Sequence, residues 1–139
     1  MEKEQIQTLI REAEQAGKAA YAPYSDFMVG AALLAASGKV YTGCNIENSS
    51  YPAGICAERT AVSKAVSEGE KEYLAMAIVG RFRGKNAETY CYPCGICRQV
   101  LAEFCREEFL VISAKNEEEY QTMMLGELLP HAFLLDEQK

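Results

Sequence analysis

Three cysteines and one glutamate stand at spacings that suit a hydrolytic zinc site. Cys56 precedes Glu58 by two residues, and Cys94 and Cys97 lie three residues apart in Pro93-Cys94-Gly95-Ile96-Cys97. Catalytic zinc takes three protein ligands and keeps a fourth position open for water, whereas structural zinc takes four. The pattern therefore predicts one Zn²⁺ per chain, held by the three cysteines, with Glu58 as a proton carrier.

Each cysteine group is expected at the start of a helix. Cys94 and Cys97 would share one first turn with both sulfurs on one side, and Cys56 would open another helix. Unpaired N–H groups at a helix N-terminus favour anions and lower the pKa of a thiol. Three thiolates give Zn²⁺ a net charge of about −1. We therefore expect the helix ends and the neighbouring cation Arg59 to draw charge off the sulfurs.

Three other kinds of site match parts of this pattern. Cys94-x-x-Cys97 alone is typical of redox motifs, but no thioredoxin-like context precedes it. Cys91, Cys94 and Cys97 resemble part of an iron–sulfur ligand run, which expects a fourth cysteine nearby. A closed structural zinc in a non-catalytic interaction module is the third alternative, with Cys44, Cys91 or His131 as the fourth ligand.

Length, charge and cysteine content limit the fold size, the partners and the compartment. The 139 residues predict a single domain over 1–139. The polar N-terminus does not resemble a signal peptide, so the six cysteines predict a reducing compartment, the cytoplasm. A net charge of −6 without a basic stripe argues against a nucleic-acid partner. No apolar run approaches the roughly 20 residues that cross a bilayer, so no membrane partner is expected.

Hydrophobic periodicity and turn residues predict helices that alternate with strands. We expect four helices, over residues 2–20, 56–68, 94–108 and 120–129. We expect four strands, over residues 27–36, 39–44, 74–79 and 109–113. Ser37-Gly38 joins the first two strands as a hairpin, and the polar loop at 43–54 is long enough to suspect a function. The alternation predicts a three-layer α/β domain.

Further stretches resemble the small zinc-dependent cytidine deaminase family. The likeness runs from about Tyr24 to Leu101 and includes Pro23-Tyr24-Ser25, Cys44-Asn45-Ile46-Glu47-Asn48, Gly54-Ile55-Cys56-Ala57-Glu58-Arg59 and Pro93-Cys94-Gly95-Ile96-Cys97-Arg98-Gln99. The resemblance implies a three-layer α/β/α fold with a mixed central sheet of about five strands. It also implies hydrolytic deamination of cytidine and 2′-deoxycytidine in pyrimidine salvage, with Cys56, Cys94 and Cys97 as zinc ligands and Glu58 as the proton shuttle.

The same resemblance implies a set of substrate contacts. Asn45 and Glu47 would hold the ribose hydroxyls, Phe27 would lie against the pyrimidine ring, and the backbone at Ala57 would accept the amino group. An amide and a charged acceptor suit a sugar, and an apolar ring suits a flat heterocycle. Core packing of Phe27 and loop capping by Asn45 and Glu47 remain the structural alternatives.

A homotetramer with active sites shared between subunits is also implied by the resemblance. Tyr51 in the polar loop and Phe133 in the tail after Pro130 are the expected donors to a neighbouring site. The alternative for Phe133 is that it caps the core of its own subunit.

Two departures from the family pattern concern the rim of the site. Tyr92 stands where a small Ser or Thr is usual before Pro93-Cys94, and the polar stretch at 81–90 replaces a shorter acidic turn. The substrate preference therefore stays open, with another amino-nucleoside such as a blasticidin-type antibiotic as the alternative. Asn45, Glu47 and Arg59 favour the ordinary nucleoside.

Overall fold

The computed structural model describes residues 1–135, which form four α-helices and five strands. The helices are α1 (Lys3–Gly17), α2 (Ala57–Ser67), α3 (Gly95–Phe104) and the short α4 (Leu125–Leu128). The strands are β1 (Phe27–Ala35), β2 (Val40–Cys44), β3 (Tyr73–Phe82), β4 (Leu110–Ala114) and β5 (Tyr120–Met124). A single 3₁₀ turn, Tyr51–Ala53, lies in the predicted polar loop.

All five strands form one mixed sheet in the order β2-β1-β3-β4-β5. The β3–β4 pair is parallel, and the other three pairs are antiparallel. The chain crosses between the two parallel strands through α3, as parallel strands require a crossover connection. The predicted α/β fold with a mixed sheet of about five strands is confirmed.

Helices cover both faces of the sheet, which gives three layers. α1 buries Ile6, Leu9, Ile10 and Ala13 against a core that includes Ala77 and Ile112. The opposite face carries α2 and α3, which pack on the alternate residues of the same strands, among them Ala31, Leu33, Met76, Ile78 and Val111. α1 approaches β1 so closely that a Cβ on Gly30 would lie 1.9 Å from the carbonyl oxygen of Ala13. Only glycine fits at that crossing.

The predicted helix over 120–129 is wrong in its first half. Residues 120–124 form the edge strand β5, in which Tyr120 pairs with Ala114 and Met124 pairs with Leu110. The segment contains Tyr and Thr, which favour strands. Its conformation is decided by the edge of β4, with which it can pair. Only Leu125–Leu128 is helical.

The other predicted elements are present with shifted ends. α1 ends three residues earlier than expected, and α3 ends at Phe104 rather than 108, because Cys105 is extended at φ −123° and ψ 153°. β3 runs on to Phe82, so the exposed loop begins later than residue 81. No helix within residues 1–135 has the length and apolarity to cross a membrane. The last four residues of the predicted domain, 136–139, lie outside the described part.

Candidate active site

The cysteine cluster forms where α2 and α3 begin side by side. Cys56 is the N-cap of α2, Cys94 is the N-cap of α3, and Cys97 lies in the first turn of α3. Their three sulfurs all lie within 4.8 Å of one another, and the Sγ atoms of Cys56 and Cys94 are 3.7 Å apart. The structure therefore brings Cys56 together with the other two predicted ligands, which follow it by 38 and 41 residues in the chain.

The donor set fits a tetrahedral zinc ion with one position left free. Zn–S bonds of about 2.3 Å at tetrahedral angles place sulfurs about 3.8 Å apart, close to the observed separation of Cys56 and Cys94. Cys44, Cys91 and His131 do not join the cluster, and within residues 1–135 no other Cys, His, Asp or Glu does. A closed site with one of these three as the fourth ligand is therefore wrong for this structure.

Local charges favour a thiolate in this cluster. The pKa of Cys56 is lowered because the Cys97 thiol hydrogen-bonds to its sulfur and because Arg59 lies beside it. The Arg59 Nη2 atom is 3.9 Å from the Cys56 Sγ, and the buried Arg59 Nε has no hydrogen-bond partner among the described residues. Arg59 thus faces the cluster from the first turn of α2. The unpaired N–H groups at this helix N-terminus also favour the thiolate form.

Glu58 is the buried carboxyl group of the site. Its side chain is only 5% exposed, although it lies in the first turn of α2. Burial raises its pKa to about 7, because a desolvated carboxylate loses its hydration. A carboxyl group with this pKa exchanges a proton readily near neutral pH, which is what a general acid–base group requires.

A cavity of about 700 Å³ opens over the sulfurs and Glu58. Its volume lies in the range of ligand-binding pockets for small molecules. Its walls come from the β1 and β3 ends, the polar loop and the starts of α2 and α3, and include Phe27, Val29, Asn45, Glu47, Tyr51, Cys56, Ala57, Glu58, Arg59, Ile78, Cys91, Tyr92 and Cys94. Two of the clustered cysteines, the buried carboxyl group of Glu58 and polar groups of the loop thus share one cavity.

The known proteins to which this chain is similar are cytidine deaminases. Residues 3–113 match the family described as the cytidine and deoxycytidylate deaminase zinc-binding region. The chain belongs to this family. It is 46% identical to the cytidine deaminase of Sporosarcina psychrophila over 128 residues, which are 92% of this chain and 90% of that protein. It is also 46% identical to the cytidine deaminase of Halalkalibacterium halodurans over 131 residues, or 94% of this chain and 96% of that protein.

Solved structures of cytidine deaminases share the fold. The enzyme from Burkholderia pseudomallei has a TM-score of 0.81 and 43% identity, and the match covers 91% of this chain and 97% of that one. The enzyme from Mycobacterium tuberculosis has a TM-score of 0.77 and 41% identity, with coverage of 92% and 96%. The predicted family resemblance is confirmed, and the chain carries the zinc-binding region of these deaminases.

Phe27 lies in the cavity wall rather than wholly in the core. Its ring meets that of Phe82 edge-on, with centroids 5.0 Å apart and an interplanar angle of 72°. It sits over Gly80 of β3, where a Cβ would lie 2.8 Å from its ring and 2.5 Å from the Cys91 sulfur. Glycine at 80 therefore makes room for two cavity residues at once.

Asn45 and Glu47 have protein partners that fix their orientation in the cavity. The Val29 N–H donates to the Asn45 Oδ1, and the Asn45 Nδ2 donates to the carbonyl of Phe27, both at 2.9 Å. Glu47 accepts from the backbone N–H of Tyr24 at 2.9 Å and from the hydroxyl of Ser25. The Ser25 hydrogen bond lowers the pKa of Glu47 and keeps it charged.

The two aromatic residues predicted for assembly are both exposed in the isolated chain. Tyr51 lines the cavity mouth and is 82% exposed. Phe133 is 72% exposed and does not line its own cavity, while its carbonyl accepts a hydrogen bond from the Gln99 Nε2 at 2.8 Å. The alternative in which Phe133 caps its own core is therefore wrong for this chain.

Sequence reasoning missed several residues that shape the site. Gly80 and Ser113 carry no local signal, because their roles depend on which strand meets which loop in the folded chain. The Ser113 hydroxyl is fully buried on β4 and donates to the Cys91 carbonyl at 2.6 Å. Ser25 had a signal in Pro23-Tyr24-Ser25, but its partner Glu47 could not be inferred from spacing.

Proposed function

We propose that this protein catalyses the hydrolytic deamination of cytidine and 2′-deoxycytidine to uridine and 2′-deoxyuridine, with release of ammonia. The observation that carries the proposal is the convergence of three cysteine sulfurs beside the buried carboxyl of Glu58 in a nucleoside-sized cavity. Membership of the deaminase family supports the same reaction.

Cys56, Cys94 and Cys97 would hold one Zn²⁺ per chain. Zinc bound by three protein ligands supplies a Lewis acid that makes a water molecule nucleophilic near neutral pH. Negative charge on three thiolates weakens the Lewis acidity of zinc. The helix N-termini and Arg59 draw part of this charge away from the sulfurs and so oppose that effect.

Glu58 moves the protons of the reaction. It accepts a proton from the attacking water and donates it to ring nitrogen 3 as the water oxygen adds to carbon 4. It then takes the remaining proton of the hydroxyl group added at carbon 4 and gives it to the amino group. The bond between carbon 4 and the amino nitrogen breaks, ammonia leaves as a neutral molecule, and the carbonyl of the uridine product forms. Burial supports this cycle, because it places the pKa of Glu58 at about 7.

The cavity walls would orient the nucleoside. The charged Glu47 and the amide of Asn45 offer acceptors and donors for the sugar hydroxyls, and both are held rigidly by β1 and the loop before it. Phe27 offers a ring face to the pyrimidine. The backbone at Ala57, the first residue of α2, lies in the cavity wall where it can meet the amino group.

Assembly into a homotetramer would complete the site. Tyr51 and Phe133 are large, exposed aromatic residues, and exposed aromatic side chains are enriched at interfaces. A neighbour's Phe133 would cover the base and exclude water from the cavity. We place the enzyme in the cytoplasm, in the salvage of pyrimidine nucleosides.

An ultraviolet assay with purified protein and a panel of amino-nucleosides tests the proposal. The ultraviolet spectra of cytidine and deoxycytidine should change to those of uridine and deoxyuridine, and the spectrum of adenosine should not change. Conversion of a blasticidin-type nucleoside with cytidine untouched would favour the second candidate substrate, which the unusual Tyr92 in the cavity wall keeps open. Absence of turnover with every nucleoside, at full zinc loading, would contradict the deaminase proposal.

A further inference from the structure

Tyr92 is a large side chain in the cavity wall to which the reaction above assigns no role. Only Pro93 separates it from the ligand Cys94, and its ring is 46% exposed. The ring therefore lies partly in the wall and partly at the mouth of the cavity. The ring fills space in the wall that a smaller side chain would leave.

One rung of the sheet fixes the segment that carries this ring. Ser113 of β4 and Gln121 of β5 are directly opposite each other in the antiparallel pair, so their side chains lie on one face. Ser113 donates to the Cys91 carbonyl at 2.6 Å, and the Tyr92 hydroxyl donates to the Gln121 Oε1 at 2.5 Å. The sheet thus holds both the carbonyl of Cys91, in the peptide group that precedes Tyr92, and the Tyr92 hydroxyl.

The reaction chemistry decides which part of the base meets Tyr92. Carbon 4 must lie at the sulfurs, ring nitrogen 3 must face Glu58, and the sugar must reach Asn45 and Glu47. Carbon 5 is the other ring neighbour of carbon 4, so it points away from Glu58. Tyr92 lines the same cavity and precedes Cys94 by two residues, so we assign its ring to the wall on the carbon 5 side.

We propose that Tyr92, anchored by Gln121, is a specificity-determining residue that excludes bulky substituents at carbon 5 of the pyrimidine. The inference rests on the proposed deamination and names the substrate class of the same site, cytosine nucleosides unsubstituted at carbon 5. The ring can move aside for an added methyl group only if the hydrogen bond to Gln121 breaks, so this bond opposes the entry of a 5-substituted base.

The test compares kcat/KM for cytidine and 5-methylcytidine in the zinc-loaded enzyme and in Tyr92→Ser. The kcat/KM for 5-methylcytidine, divided by that for cytidine, should rise by about tenfold or more in the variant. One methyl group in a fitted pocket changes kcat/KM by about 10–200-fold. Tyr90→Ser is the matched control, because Tyr90 lies on the same segment, contacts Lys115 and does not line the cavity. Its ratio should equal that of the parent.

Tyr92→Phe and Gln121→Ala test the anchor and keep the ring if Tyr92→Ser fails to fold. Each removes the same hydrogen bond, so each should raise the ratio by a smaller and similar factor, and the double variant should add nothing further. An unchanged ratio in Tyr92→Ser, or in both anchor variants, with cytidine turnover retained, would overturn the inference. Absence of cytidine turnover in the parent enzyme would instead contradict the proposed function.

Discussion

Two helix starts give the three cysteines their shared position. Cys56 and Cys94 are N-caps, and Cys97 follows one turn later, so each sulfur projects from a helix end where unpaired N–H groups favour a thiolate. The same cysteine at a helix centre would lack that field. Residue type and residue position therefore contribute together to the metal site.

Cys97→Ala should lose zinc and activity, whereas Cys105→Ala should keep both. Cys97 is a cluster member, but Cys105 lies outside the cluster, and burial raises its pKa to about 12, which keeps the thiol protonated. Elemental analysis of the dialysed proteins gives the zinc content per chain. Full zinc content with unchanged activity in Cys97→Ala would remove the site as described.

The residues of the site differ in how far the sequence could predict them. Cys56, Glu58, Cys94 and Cys97 were predictable because few residue types perform this chemistry and their spacing is restricted. Ser113 was not predictable, because a buried serine on a strand has many possible partners. Its bond to the Cys91 carbonyl exists only after β4 and the loop before α3 have met.

At the scale of elements, the loop between α2 and β3 is tied to the β1–β2 hairpin by Glu70. Its Oε2 accepts hydrogen bonds from the Ser37 hydroxyl at 2.6 Å and from the Tyr41 hydroxyl at 2.9 Å. Both bonds lower the pKa of Glu70, and the bond from Ser37 has the larger effect. The connection holds the far end of α2, whose near end carries Cys56 and Glu58.

Glu70→Gln should lower the melting temperature at pH 7. It should also reduce the fall in melting temperature between pH 7 and pH 3. A carboxylate with a lowered folded pKa stabilises the protein above its unfolded pKa of about 4.3, and this contribution disappears as the pH falls through the folded pKa. Melting curves between pH 7 and pH 3 measure the effect. Glu72→Gln, a side chain in the same loop without such bonds among the described residues, is the control, and equal curves for both variants would contradict this role.

Helices and strands were predictable where the hydrophobic periodicity was strong. They were not predictable where pairing with a neighbouring strand determines the conformation. The hairpin and α2 appeared near their expected bounds, because glycines at 38 and 69 adopt left-handed φ values of 95° and 92° that end the preceding elements. β5 was mistaken for a helix. A short segment with mixed propensity takes its conformation from the strand edge it meets.

At the scale of the molecule, the two faces of the sheet differ: one carries a packed core, and the other also carries the cavity. α1 covers one face with an apolar core, and the cavity lies at the ends of β1 and β3 on the other. The alternation of helices and strands predicts the layers, but not which loops meet over the reactive face. The open cavity and the exposed Phe133 fit a site that a second subunit completes.

Phe133→Ala should raise KM strongly and change the melting temperature little. The ring is 72% exposed in its own chain, so its removal costs that chain little packing. Removal of the residues from His131 onward should give the same rise in KM, together with a loss of the Gln99 bond to the Phe133 carbonyl. Sedimentation at low micromolar concentration gives the assembly state, and a fully active monomer would contradict a shared site.

The most direct test of zinc-dependent deamination is ammonia release from cytidine by the zinc-loaded parent enzyme and by Glu58→Gln. The parent should release one ammonia for each uridine formed. Glu58→Gln should keep its zinc and its melting temperature but lose activity by about 10²–10⁴-fold or more, because an amide cannot carry protons between water and base. No ammonia from the parent enzyme, or a variant within a few-fold of the parent, would contradict the account.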